Sequence, residues 1–115
     1  MNTTIIGRKA EAAAAVYLEM RGYQIIEQNF RRPRCEIDII AKKGDTIYFV
    51  EVKYRAHDDQ GGGFESITAS KLGQMVFAAQ IWVQESKWEG PFQLAAVELG
   101  GREFTVMGFI EDVYY

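Results

Sequence analysis

A chain of 115 residues, 48% hydrophobic and 25% charged, has the composition of one globular domain, and none of its apolar runs reaches the roughly 18 residues a membrane span needs. The single cysteine, Cys35, excludes a disulfide framework and a thiolate zinc site. Thirteen basic and sixteen acidic residues give a net charge of −3, which speaks against a protein that coats nucleic acid through bulk positive charge.

The charge is unevenly placed. Between Arg31 and Arg55 seven bases (Arg31, Arg32, Arg34, Lys42, Lys43, Lys53, Arg55) face four acids (Glu36, Asp38, Asp45, Glu51), so this stretch is +3 and the remainder −6. The most apolar N-terminal stretch, residues 12–18, is bracketed by Glu11 and Glu19. That is unlike a signal peptide, and a cytoplasmic protein is expected.

In chain order, the first helix is expected from an N-cap at Thr3 or Thr4 to Arg21, with Gly22 as its stop. Its apolar stripe runs through Ala14, Ala15 and Leu18, and Glu11 shares that face by helical spacing. Three strands follow over residues 23–30, 34–41 and 46–55, the last two forming a hairpin across the Lys42-Lys43-Gly44-Asp45 turn. Alternation places Glu36, Asp38 and Ile40 on one face of the second strand and Cys35, Ile37 and Ile39 on the other. In the third strand, Ile47, Phe49, Glu51, Lys53 and Arg55 share a face.

A glycine-rich loop is expected over residues 56–64, with the only histidine, His57, as a surface residue in it. A second helix is expected from Glu65 or Ser66 to Lys87, with a stripe through Leu72, Met75, Val76, Ala79 and Val83. Its extra apolar bulk suits burial on two sides or a homodimer interface using Ile81, Trp82 and Trp88. Residues 92–99 and 103–110 then form a hairpin around Gly100-Gly101. The order α-β-β-β-α-β-β is that of an α/β domain, a mixed central sheet flanked by helices.

Chemistry is expected where binary patterning fails. Glu51 and Lys53 interrupt the most hydrophobic strand, and Asp38 interrupts its neighbour. Charges in strand centres are costly to bury unless paired or bound to metal. If the two strands pair, Asp38 lies close to Glu51, with Lys53 two residues further on the same face. Clustered carboxylates favour a divalent cation, and oxygen-only ligands suit Mg²⁺ or Mn²⁺. Cross-strand ion pairing is the structural alternative for the same residues.

The run Gly7-x-x-x-Glu11-x-x-Ala14, then Gly22-Tyr23 and Asn29, then Glu36-Ile37-Asp38-Ile39-Ile40-Ala41 and Phe49-Val50-Glu51-Val52-Lys53-x-Arg55 resembles the YraN family. These are small bacterial proteins regarded as candidate endonucleases related to archaeal Holliday-junction resolvases. The resemblance implies a restriction-endonuclease-like PD-(D/E)xK core and a single nuclease-like domain over residues 1–115. It further implies a Mg²⁺- or Mn²⁺-dependent endonuclease acting on DNA, with branched DNA as its substrate class. Asp38, Glu51 and the backbone carbonyl of Val52 would hold the metal. Lys53 would position water, Glu11 would bind a water or a second ion, and Lys71 would contact a phosphate. Arg31, Arg32, Arg34 and Arg55 would hold the DNA backbone.

The chain departs from the family pattern at Cys35, where a glycine is usual, and at Gln93, where an aspartate is usual. A non-catalytic nucleic-acid-binding or protein-interaction module retaining the fold is the competing expectation.

Overall fold

Helix α1 (Thr3–Met20) leads into strands β1 (Gln24–Arg32), β2 (Cys35–Lys43) and β3 (Thr46–Arg55), helix α2 (Ala69–Ser86), and strands β4 (Phe92–Gly100) and β5 (Thr105–Ile110). This is the expected order, seen in a computed structural model that describes residues 3–56 and 67–113. The loop expected around the three glycines, His57 and the terminal Tyr114-Tyr115 lie outside the described residues, apart from Ala56 at the loop's start.

Helix boundaries differ from expectation at three ends. Thr3 and Thr4 are both helical, so neither is the cap of α1. The helix stops at Met20 because Gly22 adopts φ 92°, allowing Gly22 N–H to reach Glu19 O (3.1 Å) and Tyr23 N–H to reach Leu18 O (3.0 Å). Those two bonds close a Schellman motif. Helix α2 begins only after Thr68, whose extended backbone and side-chain bond from Lys71 N–H (3.1 Å) make it the N-cap.

The five strands form one sheet in the order β1-β2-β3-β4-β5. All neighbours are antiparallel except β3 and β4, which are parallel and joined through α2. The helices cover opposite faces. Ala10, Ala14 and Leu18 of α1 pack on Ile39, Ala41, Val50, Ala95, Val97 and Leu99. On the other face Leu72, Met75, Ala79 and Trp82 of α2 pack on Ile37, Ile40, Ile47, Phe49 and Leu94. Trp82 is buried edge-to-face on Phe49 at 5.7 Å, and Ile81 and Trp88 pack against the same cluster. Of the three residues that suit burial on two sides or an interface between copies, Trp82 belongs to the core, and Ile81 and Trp88 are partly buried against it. No helix among the described residues is long and apolar enough to cross a membrane.

One departure from alternation matters for the site. Ile40 packs with Cys35 and Ile37 on the α2 face, while Ile39 packs on the α1 face, so the strict two-residue period expected for β2 breaks at Asp38. The β2–β3 ladder ends there too, at Ile39 opposite Val50. On the other side β1 carries an irregularity between Ile25 and Glu27 and a left-handed Asn29 at φ 56°. Bulges of this kind bend a strand and re-aim its side chains.

Candidate metal centre and nucleic-acid interface

Where β2 leaves β3, a side chain takes over from the backbone. The Asp38 carboxylate accepts a hydrogen bond from Val52 N–H at 2.8 Å. In a strand, one residue's N–H and C=O point to the same side, so the Val52 carbonyl also faces Asp38. Glu51 lies on the α2 face of β3, 7% exposed, and its carboxyl meets both the Asp38 carboxylate and the Lys71 ammonium, at 3.5 Å. The turn that caps α2 at Thr68 puts Lys71 there, in the helix's first turn.

The electrostatics follow from burial. Loss of water and the neighbouring charge of Asp38 push the Glu51 carboxyl up to about 7, with Lys71 pulling the other way. Asp38 is raised by burial and held back by the Val52 N–H and by the hydrogen bond from Glu51. Two carboxyls in contact therefore resist being charged together. Glu11, half-buried on α1, is raised by burial and by the charge of Asp38, with a hydrogen bond to the Asn29 side chain opposing.

The donor set suits a hard cation. Asp38 and Glu51 offer carboxylate oxygens, and the Val52 carbonyl faces the same space. Among the described residues no three His, Cys, Asp or Glu side chains gather to enclose a metal. Mg²⁺ keeps several waters and binds through one or two carboxylates, so two acids and a carbonyl fit it, and they do not fit a four-ligand zinc site.

Lys53 shares the face of Glu51 and lies opposite Glu98 in the parallel register. Clefts open on both sides of the β1–β2 hairpin. One, of about 580 Å³, reaches Asp38 and Glu11 from the α1 side between Thr4, Arg8, Asn29 and Arg31. The other, of about 300 Å³, lies on the α2 side and is lined by Arg31, Arg32, Arg34 and Lys71 with Glu36 and Gln74.

The four arginines differ in their commitments. Arg31 is exposed and pairs with Glu36 at 2.9 Å. Arg32 pairs with Glu85 and stacks over Phe30 at 4.3 Å. Arg34 sits exposed in the β1–β2 turn at φ 68°. Arg55 instead turns into the sheet to meet Glu98 at 2.9 Å, with only 17% and 8% of the two side chains exposed. Glu98 escapes the sequence reading, although an acid within the apolar run of residues 94–99 is the same cue that exposes Glu51. Cys35 is buried as a small strand residue. Gln93 lies opposite Tyr48, five register positions before the Lys53–Glu98 pair.

The fold and site define an α/β protein with paired, buried carboxyls at a strand divergence beside a basic cleft. Residues 10–106 match the profile of Uncharacterised protein family UPF0102, and the chain belongs to that family, which is the YraN family. It is similar over most of its length to the UPF0102 protein of Ectopseudomonas mendocina, 36% identical over 111 residues covering 95% of this chain and 93% of that one. The UPF0102 protein of Wolinella succinogenes is 41% identical over 110 residues, covering 93% and 94%. That of Vibrio campbellii is 38% identical over 105 residues, covering 87% and 86%.

Proposed function

We propose that the protein is a metal-dependent DNA endonuclease with a restriction-endonuclease-like PD-(D/E)xK core, acting on branched DNA. The observation that carries this reading is the Glu51–Asp38 carboxyl pair. Two buried acids in contact make a poor structural pair, and it is the arrangement a divalent cation would relieve by neutralising both. Asp38, Glu51 and the Val52 carbonyl would hold Mg²⁺ or Mn²⁺, which when bound supplies Lewis-acid polarisation of a phosphodiester and a lowered pKa for water.

The chain's own residues do the rest. Lys53, on the face of Glu51, orients the attacking water and donates to the charge that develops on the phosphate. Lys71, already drawn to Glu51, stands at the mouth of the basic cleft and holds a phosphate oxygen. Glu11 accepts a water hydrogen from the opposite cleft. Arg31, Arg32 and Arg34 fix the backbone of the strand being cut. A P–O bond breaks as the water oxygen bonds to phosphorus; the water gives up one proton to solvent, and the departing sugar oxygen takes one from solvent.

The test is cleavage of a labelled panel (linear duplex, single strand, flap, four-way junction) in Mn²⁺, Mg²⁺ and EDTA, with Glu51→Ala and Lys53→Ala prepared identically. Metal-dependent cutting lost in both variants is expected, with the junction preferred. DNA binding with no cutting of any substrate would replace this reading by a non-catalytic nucleic-acid-binding module.

A further inference from the structure

A third cleft, of about 370 Å³, lies away from the carboxyl pair, between α1 and the β4–β5 turn. Its walls are Ile6 and Lys9 from the helix, Tyr54 from the end of β3, and Arg102 and Phe104 from the turn. The Tyr54 and Phe104 rings lie 4.9 Å apart at 31° to one another and form an aromatic shelf. Both rings are half-buried, whereas Lys9 and Arg102 are exposed at the rim.

The shelf is held in place. Tyr54 Oη donates to Gly101 O at 2.9 Å, Phe104 N–H reaches the same carbonyl at 3.3 Å, and Gly101 N–H bonds to Arg55 O at 3.3 Å. Phe104 itself sits at φ 52°, a left-handed conformation that a bulky side chain adopts only when its surroundings impose it, and such residues cluster at ligand sites.

We propose that this cleft takes one unpaired nucleotide of a DNA strand, with its base against Tyr54 and Phe104 and its phosphate between Lys9 and Arg102. The assignment rests on the nuclease reading for its substrate and extends it to a feature that branched DNA supplies and an intact duplex does not. An aromatic shelf beside cations is the common platform for single strands, because every base has a π-face and every nucleotide a negative charge. The site is well placed for it. Tyr54 is three strand residues beyond Glu51, about 10 Å, and points to the opposite face of β3 from Lys53. A strand entering the carboxyl centre can turn over the sheet edge and lodge a base there. In a chain of net charge −3, two cations at the rim of an otherwise apolar cleft also select an anionic aromatic guest over an uncharged one.

The test is fluorescence anisotropy in EDTA, so that no cutting intervenes, with labelled oligothymidylate and a blunt duplex of equal length. Wild type should bind the single strand. Phe104→Leu, which keeps apolar bulk and removes the ring, should weaken that binding about 5- to 100-fold while changing duplex binding less than twofold. The exposed pair Lys9→Gln/Arg102→Gln, which does not disturb packing, should reduce the slope of log affinity against log salt by about 0.7 for each phosphate no longer neutralised. Three outcomes overturn the proposal: no single-strand binding by the wild type; unchanged binding and salt slope in both variants; or displacement of the oligonucleotide by thymidine monophosphate at equal nucleotide concentration, which would make the guest a free nucleotide. A protein that binds as described and never cuts in Mn²⁺ leaves the cleft assignment standing and removes the nuclease reading alone.

Discussion

The Glu51 and Asp38 carboxyls meet at the point where β2 leaves β3. The contact joins two residues thirteen positions apart, and it depends on the end of the ladder at Ile39. Had the strands stayed paired, Val52 N–H would be bonded to backbone and the Asp38 carboxylate would be without its 2.8 Å donor. The site is thus a consequence of a local failure of sheet regularity.

The raised Glu51 carboxyl makes metal-free stability depend on pH. An acid whose pKa is raised in the fold binds its proton more tightly folded than unfolded. Stability is therefore greatest below the ordinary value and falls as pH climbs from 4.5 towards about 7. Melting curves in EDTA should show the melting temperature declining across that window. Glu51→Gln, which keeps the hydrogen bond and removes the titration, should flatten most of the decline. Equal slopes in the two proteins would mean the proton is not on Glu51.

Arg55 and Glu98 form an ion pair that is nearly shielded from water. Removing Arg55 takes this partner from the buried Glu98 carboxylate, so Arg55→Met should lower unfolding stability by about 3 kcal/mol in urea titrations. Adding Glu98→Leu to Arg55→Met should recover a large part of that loss. A cost below about 0.5 kcal/mol, the size of a surface effect, would show that the pair is solvated.

Gly22 ends α1 at φ 92°, and a Cβ there would meet only the Lys43 Cε at an ordinary 3.7 Å. The cost of Gly22→Ala is therefore conformational, about 1 kcal/mol, measurable as a shift in urea midpoint with unchanged slope. Gly73→Ala, in open space within α2, should instead stabilise by up to about 1 kcal/mol, since alanine is the better helix former.

On the proposed nuclease reading, the basic turn separates DNA binding from folding. Arg34→Ala removes an exposed charge and should reduce the salt slope of DNA binding by about 1 with no change in melting temperature. Arg32→Ala also loses the Glu85 pair and the Phe30 stack, so it should weaken DNA binding and also lower the melting temperature.

Element order, the β2–β3 and β4–β5 hairpins and the face shared by Glu51 and Lys53 were legible in the sequence because they rest on local signals. Alternation, Gly-Asp and Gly-Gly turns and a 3.6-residue apolar stripe act over a few residues. What was not legible depends on distant partners. The break of alternation at Asp38 comes from the end of pairing with β3 and from the irregularity of β1, and no residue of β2 announces either. Arg55 reads as a phosphate-holding residue until the parallel register brings Glu98 alongside. The Asn29 contact with Glu11 needs a left-handed residue inside a strand, which composition does not predict. Trp82 was ambiguous for a different reason: helical spacing shows which residues share a face, and only the packed sheet shows that Phe49 lies beneath it.

The most direct test of a cation-binding carboxyl centre is the melting temperature of wild type and Asp38→Asn at pH 8 with Mg²⁺ or Mn²⁺ against EDTA. At a cation concentration ten times the dissociation constant, binding to the folded state alone stabilises by about 1.4 kcal/mol, or about 5 °C for a domain of this size. A shift of that order in the wild type, absent in Asp38→Asn, is the predicted result. No shift in the wild type, or the same shift in both, would contradict the assignment of Asp38 and Glu51 as metal ligands.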